Sequence, residues 1–431
     1  MITRFFDKSL YLSLYPEVKA VNVNPLLHYL YYGRSEKRFA TFNAKTRFIE
    51  GQFKYDDQKP LFVVVSHTSS STGAPLVGFN LGKELSKKYN VINLVLNSGK
   101  LQKAFEKECV GSISDFDVAS PLLAKRALQY LMHRFGKITG VICNSIETTY
   151  VLEAANQLNL PAISLIHEFA CYSQYQKQFE YLVKHTNKIV VPAKVIADSI
   201  SAFAAKSAFN QKLKERLVTQ AQGRLPNIPE GHGDNLSIEQ LKYKLNINSL
   251  DDVNIIIGAG TIDIRKGVDL FISTADNINK LAHKPCKFVW VGEGTDTVFY
   301  DWLKTQIAFY NLEDDFVFLP QQRNLENILQ LANVFCLTSR LDPFPNVVID
   351  ALAADVHVAC FEQCSGSADF LKRESANFTL ANHLNVADMA AGVTDYLNQQ
   401  QSVIGVNQKI AESKCSFENY ARSIISQFKS T

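Results

Sequence analysis

Short apolar runs that end in small or polar residues recur from residue 60 onward, and each run leads into a helical stretch. The first such unit is LFVVVSHTSSSTGAPLVGFNLGKELSKKY, and the runs VINLVL, GVICNS, AISLIHEF and KIVVPA follow it. A repeated order of strand, loop and helix is typical of a parallel sheet with helices on both faces. We therefore predict an α/β fold with a doubly wound sheet.

The same alternation restarts after a break in the middle of the chain. Residues 224–235, RLPNIPEGHGDN, are rich in Gly, Pro and Asn and predict a linker. VNIIIGAGTIDIRKGVDLFISTADNINKL then gives strand, glycine loop and helix again, and CKFVWVGEG, DFVFLP and ANVFCLTS continue the pattern. Two Rossmann-like domains facing a central cleft are predicted, with the ligand at the carboxyl ends of the strands.

The first 50 residues differ from the rest, since they are rich in Phe and Tyr and hold two short amphipathic stretches. Asp7 and Asn24 are suitable helix caps, and Pro25 suits a first helical turn. We predict a small helical extension over residues 1–50, with the two Rossmann-like domains over residues 51–225 and 226–410.

Composition argues against several classes of protein. The net charge of +3 on 431 residues is too small to indicate a nucleic-acid partner. No run reaches the ~18 apolar residues of a membrane span, and the first residues lack the apolar core of a signal peptide. Eight scattered cysteines, of which only Cys360 and Cys364 are close, do not form a zinc pattern. We expect a cytoplasmic protein that needs no metal or cofactor.

Two cations precede a helical pattern in GTIDIRKGVDLF. The spacing of the apolar residues predicts a helix that begins near Lys266, which would place Arg265 and Lys266 at its positive end. A bound anion would reverse this unfavourable arrangement, because helix N-termini favour phosphate. The alternative is that Asp263 and Asp269 neutralise the two cations.

The segment LDPFPNVVIDALAADV combines an apolar helical face with two carboxylates, one before the helix and one within it. Two acceptors at this spacing would hold hydroxyl groups at two places along an extended ligand, and backbone N–H groups at the helix start would face phosphate or sugar oxygens. The alternative is that Asp342 pairs with Arg340 and that Asp350 is solvated. The candidate binding positions in this segment are Asp342, Phe344, Pro345, Asn346, Val347 and Asp350.

Three glycine-containing loops follow predicted strands. SHTSSSTGAP, with Gly73 and Ala74, lets the backbone approach a ligand closely. This loop is neither a P-loop nor a G-x-G-x-x-G motif. Gly260 in GAG, and Gly292 and Gly294 in GEG, are weaker candidates for ligand contact.

Two further motifs carry titratable side chains. LIHEFA places His167 at a strand end, where catalytic groups of such folds collect, although a lone histidine is more often structural. Asp115 and Asp117 form an Asp-x-Asp pair, but they lie in a polar loop with no strong strand before it. We therefore expect no metal at this pair.

Together these motifs resemble glycosyltransferase family 4, the retaining enzymes with the two-domain GT-B architecture, from about residue 60 to the C-terminus. TSRLDPFPNVVIDALAA resembles the E-x7-E segment of that family, with Asp342 and Asp350 at its two acids. IRKGVDLF resembles the Lys-Gly phosphate element, with Lys266 as the lysine, and His167 stands where the family often has a histidine near the donor sugar. CSFENYARSIISQF resembles the last helix, so residues 411–431 are expected to cross back to the first domain.

The chain departs from the family pattern at the two acids, at an arginine, and at the usual Gly-x-Pro after the helix, which reads Asp355-Val356-His357. Both acids of the E-x7-E segment are Asp, each one methylene shorter, and the usual arginine about six residues before Lys266 is missing, with Arg265 as a substitute. A catalytically degenerate binding or scaffold subunit is therefore one alternative function. A nucleotide-sugar epimerase of the same fold is another.

The resemblance implies transfer of a sugar, with retention, from a UDP- or GDP-linked donor to a glycan or lipid-linked glycan in bacterial capsule or lipopolysaccharide synthesis. It implies an acceptor domain over residues 51–225 and a nucleotide-sugar domain over residues 226–410. It also implies contact with the inner face of the cytoplasmic membrane, for which residues 206–217, KSAFNQKLKERL, are a basic amphipathic candidate. The aromatic extension is a candidate for self-association. The resemblance assigns catalytic roles to His167, Arg265, Lys266 and Asp342, and donor binding to the loop and helix positions named above.

Overall fold

The computed structural model describes residues 6–115, 120–205, 213–226, 236–322, 325–399 and 404–430. Three sequence motifs fall partly outside this range: Asp117 of the Asp-x-Asp pair, residues 206–212 of the basic amphipathic candidate, and residues 227–235 of the linker.

The N-terminal domain is built on an eight-stranded sheet. Its strands are β1 (Phe48–Glu50), β2 (Leu61–Thr68), β3 (Asn90–Asn97), β4 (Gly111–Ser114), β5 (Ile138–Asn144), β6 (Ala162–Leu165), β7 (Lys188–Val191) and β8 (Leu217–Thr219). They lie in the order β1-β4-β3-β2-β5-β6-β7-β8, and all pairs are parallel except β1 with β4. Strand β2 is buried along its first six residues, as expected for a strand covered by helices on both faces.

The C-terminal domain is built on a six-stranded, fully parallel sheet. Its strands are β9 (Asn254–Ala259), β10 (Cys286–Val291), β11 (Phe316–Leu319), β12 (Val334–Leu337), β13 (His357–Phe361) and β14 (Phe378–Ala381), in the order β11-β10-β9-β12-β13-β14. The prediction of two Rossmann-like domains is therefore confirmed.

Helices connect the strands and cover both sheets. The α-helices are α1 (Lys8–Leu14), α2 (Pro16–Ala20), α3 (Pro25–His28), α4 (Ala44–Arg47), α5 (Gly73–Ser86), α6 (Gln102–Lys107), α7 (Pro121–Phe135), α8 (Tyr150–Gln157), α9 (Gln176–His185), α10 (Lys194–Ala205), α11 (Leu213–Arg216), α12 (Ile238–Lys244), α13 (Val268–Leu281), α14 (Thr297–Phe309), α15 (Leu325–Leu329), α16 (Asn346–Ala353), α17 (Gly366–Arg373), α18 (Val386–Asn398), α19 (Val406–Lys414) and α20 (Phe417–Ser426). A π-helical turn, Tyr29–Gly33, continues α3. Within the described residues, no helix is both long enough and apolar enough to cross a bilayer.

The N-terminal extension is helical, and its caps are the predicted ones. Asp7 accepts the N–H of Leu10, and Asn24 accepts the N–H groups that follow Pro25. Tyr11 is fully buried among the extension's own aromatic rings. The division at residue 50 stays a prediction, since β1 already belongs to the N-terminal sheet.

The chain passes between the two domains twice, and the two passages touch. After β8 it runs toward the C-terminal domain, and the N–H of Arg224 donates to the carbonyl of Cys415 at 2.7 Å. Beyond Cys415 the chain returns, and α20 packs Tyr420 and Ile424 against Phe62 and its neighbours on the N-terminal sheet. The C-terminal helix therefore completes the N-terminal domain.

Candidate functional site

Lys266 and Asp342 form a buried ion pair at the carboxyl edge of the C-terminal sheet. The Nζ atom of Lys266 lies 2.5 Å from Oδ2 of Asp342, and the two side chains are only 13% and 7% exposed. The guanidinium of Arg265 lies 3.5 Å from the same carboxylate oxygen. The structure thus brings Lys266 and Asp342, which are 76 positions apart in the sequence, together with Arg265.

The helix that follows these cations begins later than predicted. Residues Ile264–Lys266 form a 3-10 turn, in which the Asp263 carboxylate accepts the N–H of Lys266 at 2.8 Å. Gly267 then takes the left-handed conformation, with φ of +68°, and α13 begins only at Val268. The predicted start near Lys266 is therefore two residues from the observed one, and the left-handed glycine separates the turn that carries the two cations from the helix.

The alternative pairings for these charges hold only in part. Arg340 does not pair with Asp342 but makes a bidentate contact with Asp269, at 2.6 and 2.8 Å. Asp263 is a cap that reaches only Arg265, at 3.9 Å. Because Asp269 is held by Arg340, neutralisation of Lys266 falls to Asp342.

Asp350 is not solvated, since an arginine from the interdomain linker reaches it. The Nε atom of Arg224 lies 3.4 Å from Asp350, and the same guanidinium contacts Glu326 at 2.8 Å. Burial raises the pKa of Asp350 to about 6, although Arg224 opposes the shift. Arg224 was missed by the sequence reasoning, in which it was only the first residue of a linker; a lone cation in a Gly- and Pro-rich stretch is the one signal for it.

Helix α16 begins beside this cluster and presents an uncapped end. Pro345 is its N-cap rather than a residue of its first turn, and no side chain caps the helix. The side-chain amide of Gln222 donates to the carbonyl of Phe344 at 3.1 Å and also to Oδ1 of Asn346. Phe344 is buried and Val347 is half-buried, so the backbone at the helix start is the accessible part.

The glycines after β9 and β10 permit close backbone packing beside Lys266. A Cβ on Gly292 would lie 2.0 Å from the carbonyl oxygen of Gly260, and one on Gly294 would lie 2.5 Å from that of Ile262. A Cβ on Gly260 would lie 3.0 Å from the Lys266 side chain. These glycines place the end of β9 directly against the lysine stem.

A hydrogen-bonded chain on the N-terminal domain links the small-residue loop to His167. Gly73 begins α5 in open space, and the Ala74 carbonyl accepts the amide of Asn144 at 2.7 Å. The Oδ1 atom of Asn144 lies 2.9 Å from Nε2 of His167. Burial, together with nearby His67, lowers the pKa of His167 to about 4, so this ring is neutral at pH 7.

Glu168 stabilises the same loop by accepting hydrogen bonds from it. Its carboxylate accepts the Ser145 hydroxyl at 2.7 Å and the N–H groups of Ile146 and His167 at 3.1 and 3.0 Å. Burial raises the pKa of Glu168. Asn144 was missed by the sequence reasoning, although its place at the carboxyl end of an apolar run was a usable signal.

The two sets of residues face each other across the domain boundary. Leu341, next to Asp342, packs against the core of the N-terminal domain. Burial raises the pKa of Tyr172, which follows the His167 loop, while Arg265 across the boundary opposes the shift and Asp342 adds to it. The C-terminal cations and the His167 loop therefore border one cleft.

Two other features lie apart from this cleft. Asp115 is structural: it takes φ of +58° and accepts the N–H of Ser98 at 3.0 Å. A cavity of about 270 Å³ lies between the domains. Of its charged lining residues, Arg373 and Lys414 pair with Glu374 and Lys194 pairs with Asp198, while Asp369 also lines it. None of the predicted site residues lines this cavity.

The two parallel-sheet domains form the GT-B fold, which several solved structures share. HepE from Anabaena in complex with UDP superposes with a TM-score of 0.68 and 13% identity, covering 86% of this chain and all of that one. Sucrose-phosphate synthase from Thermosynechococcus elongatus gives 0.67 and 14% identity, with 86% and 99% of the chains covered. An Escherichia coli trehalose-6-phosphate protein bound with UDP-2-fluoro glucose gives a TM-score of 0.65 and 12% identity, with the same coverage. At these identities the likeness shows the fold.

Residues 239–417, which include most of the C-terminal domain, match the model of the family "Glycosyl transferases group 1". An uncharacterized glycosyltransferase of Haemophilus influenzae is 24% identical over 176 residues, which are 40% of this chain. The chain spans about half the length of this curated relative, 47%.

Proposed function

We propose that the protein is a retaining glycosyltransferase that moves a sugar from a nucleoside diphosphate sugar to a glycan or lipid-linked glycan. The observation that carries the proposal is the cluster of Lys266, Arg265 and Asp342 beside the glycine-lined end of β9, within the region that matches the model of the glycosyl transferases group 1 family. Such a cluster offers positive charge for a diphosphate and a carboxylate for hydroxyl groups, in one cleft.

The two cations would stabilise the leaving diphosphate. A lysine ammonium has three N–H donors, so Lys266 can keep Asp342 as a partner and still bind a phosphate oxygen. Arg265 is 39% exposed, and its guanidinium, which contacts Asp342 at 3.5 Å and the carbonyl of Leu341 at 3.4 Å, would turn from these partners toward an anion. Electrostatic stabilisation of this kind, from groups already held in place, needs no metal ion and no protein nucleophile.

The remaining site residues would orient the donor. Asp342 would accept sugar hydroxyl groups, and Asp350 would accept the ribose hydroxyls once Arg224 shares or releases it. The uncapped start of α16 and the Gly73–Ala74 turn would supply backbone N–H groups to phosphate oxygens. His167, being neutral, would donate or accept one hydrogen bond with the sugar rather than act as a charge.

A UDP-linked sugar is the first donor to test, with GDP-linked sugars next. HepE has crystal structures in complex with UDP and with UDP-glucose, and the E. coli neighbour is bound with UDP-2-fluoro glucose. The acceptor would bind to the N-terminal domain, and bacterial capsule or lipopolysaccharide synthesis is the proposed setting. Contact with the inner face of the cytoplasmic membrane belongs to this proposal.

The test is a calorimetric screen of UDP, GDP, CMP and ADP and of their common sugars, without metal. We expect one nucleotide to bind selectively, and Lys266→Ala and Asp350→Ala to weaken that binding at least tenfold, about 1.4 kcal/mol. Asp115→Ala is the matched control, because this carboxylate is structural and lies at another strand end. Normal affinity in the first two variants would refute the site.

A donor that binds without turnover on any glycan acceptor would favour the degenerate scaffold subunit. The substitution of both acids by Asp and the contact between Asp350 and Arg224 are the observations that favour this second function. Interconversion of the sugar nucleotide with no acceptor present would instead identify an epimerase.

A further inference from the structure

The N-terminal extension exposes more large apolar side chains than a segment of its size normally does. Tyr11, Pro25 and Gly33 are buried against the extension's own interior, so the opposite side of α3 and its π-helical turn faces outward. Leu27, Leu30 and Tyr31 share that outer side at helical spacing. The exposed apolar residues are Val21 (67%), Val23 (43%), Leu27 (50%), Leu30 (48%), Tyr31 (74%) and Tyr32 (60%).

Positive charge without an ion-pair partner lies in the same segment as these side chains. Each acid of the described part of the extension is in an ion pair: Asp7 with Arg126, Glu17 and Glu36 with Arg38, and Glu50 with Arg134. Five exposed cations of the extension have no ion-pair partner among the residues that the structure describes: Lys8, Lys19, Arg34, Lys37 and Lys45. Lys19, Arg34 and Lys37 lie within or next to the turns that carry the exposed apolar residues, and with those residues they form what we call the basic aromatic surface.

This surface belongs to the end of the molecule that holds the cleft. Arg47, at the end of the extension, donates to the carbonyls of Ser114 and Asp115, at the carboxyl end of β4. Strand β4 runs parallel to β3 and β2, and β2 leads into the Gly73 loop of the cleft. The extension is thus anchored at the carboxyl edge of the N-terminal sheet.

We propose that the basic aromatic surface binds an anionic lipid bilayer, with its apolar and aromatic side chains among the headgroups and its cations against lipid phosphates. Aromatic rings and basic residues on one helical face are the combination that interfacial binding requires. A second copy of this chain fits less well, because a symmetric contact would bring the unpaired cations of both copies together. The proposal does not rest on the proposed reaction, since it needs neither donor nor acceptor.

The test is flotation of the full chain with phosphatidylcholine vesicles, with and without phosphatidylglycerol, at low and high salt. We expect binding to the anionic vesicles only, weakened by salt because screening acts on exposed charges. Lys19→Gln/Arg34→Gln should weaken it about 25-fold, at roughly fivefold per charge. Leu30→Ser/Tyr31→Ser should weaken it at least about tenfold, because two apolar anchors are lost.

Matched controls lie on the C-terminal domain. Helix α14 exposes Val298 (78%) and Trp302 (58%), and Val298→Ser/Trp302→Ser removes as much apolar surface from a patch without surplus cations. Lys372→Gln/Lys409→Gln removes two exposed cations from elsewhere. Both controls should bind anionic vesicles like the wild type.

Three outcomes would overturn the proposal. One is absence of binding to anionic vesicles, and another is equal binding by the wild type and Leu30→Ser/Tyr31→Ser. The third is a wild-type dimer, seen by light scattering without lipid, that Leu30→Ser/Tyr31→Ser dissociates, since this result would assign the surface to a second copy. Because all the variants change exposed side chains, an unchanged thermal melt will show that each remains folded.

Discussion

At the scale of single residues, the two carboxylates of the LDPFPNVVIDALAADV segment have different surroundings. Asp342 is almost fully buried and sits against two cations, whereas Asp350 keeps 29% of its side chain exposed and meets one arginine at 3.4 Å. At Asp350, desolvation outweighs the attraction of Arg224 and raises the pKa of the carboxyl. The same residue type is thereby suited to two tasks.

Asp342→Asn separates the stability of the ion pair from its role toward a sugar. Loss of the charge leaves Lys266 buried beside a neutral amide, so the free energy of unfolding should fall by about 2–4 kcal/mol in urea titrations. Under the proposed function, UDP should bind as tightly as before or more tightly, because Lys266 is released for phosphate. The extra affinity that the sugar gives UDP-glucose should vanish in calorimetry.

The control for this substitution is Asp269→Asn, which breaks the neighbouring pair with Arg340 and leaves Lys266 untouched. It should reduce stability without changing the difference in affinity between UDP and UDP-glucose. If Asp342→Asn abolished the binding of UDP itself, the assignment of this carboxylate to the sugar would be wrong.

Asp350 should make stability depend on pH in a defined direction. Its pKa is about 6 in the folded protein, above the usual value near 4, so the folded state binds more protons between these values. Its contribution is fully favourable below about pH 4 and is lost as the pH rises through 6. Relative to Asp350→Asn, the wild type should lose about 1–2 kcal/mol between pH 4 and pH 7, a figure reduced for partial exposure. Urea titrations of both proteins across this range measure it, and a constant difference would contradict the assignment.

At the scale of secondary-structure elements, the start of α13 shows that a local pattern can predict a helix and still misplace its end. The periodicity from Phe271 onward is correct, and the helix exists. What the pattern cannot show is that Gly267 is left-handed and that a Cβ on it would lie 2.1 Å from the carbonyl oxygen of Thr338, a residue 71 positions away. The 3-10 turn that presents Arg265 and Lys266 depends on this contact.

Gly267→Ala should therefore damage both stability and the site. A Cβ there would lie 2.1 Å from the Thr338 oxygen, in addition to the strain of a left-handed alanine, so we expect a loss of more than about 2 kcal/mol. Gly405→Ala is the matched control, because Gly405 has φ of +81° but open space around it. It should lose only about 1 kcal/mol and keep nucleotide binding in calorimetry. Equal losses in the two variants would show that the contact with Thr338 is unimportant.

At the scale of the whole molecule, the C-terminal end of the chain belongs to the N-terminal domain. Helix α20 buries Phe417, Tyr420 and Ile424 on β2 and its neighbours, and the two interdomain passages touch at Arg224 and Cys415. Any relative motion of the two domains must therefore bend or twist these two adjacent segments. Arg224 couples this crossing to Asp350 in the cleft.

Ile424→Ala should destabilise the N-terminal domain, although Ile424 follows the C-terminal domain in the sequence. Loss of a fully buried isoleucine costs about 2–4 kcal/mol, and its neighbours Phe62 and Val64 belong to β2. Hydrogen exchange should accelerate in the amides of residues 61–68. Ile410→Ala is the comparison, since Ile410 packs in the C-terminal domain, and it should affect the amides of β9 instead. Exchange changes confined to the C-terminal domain in Ile424→Ala would refute the arrangement.

The sequence by itself determined the two Rossmann-like domains and the caps at Asp7 and Asn24, because periodicity, capping and loop composition are local properties. The candidate site residues stay a prediction. Only the tertiary structure decided which charges meet. The pairing of Lys266 with Asp342, the capture of Asp269 by Arg340 and the reach of Arg224 to Asp350 join residues 71 to 126 positions apart. Such contacts depend on how the strands order in the sheet and how the domains face each other, and no local pattern encodes either.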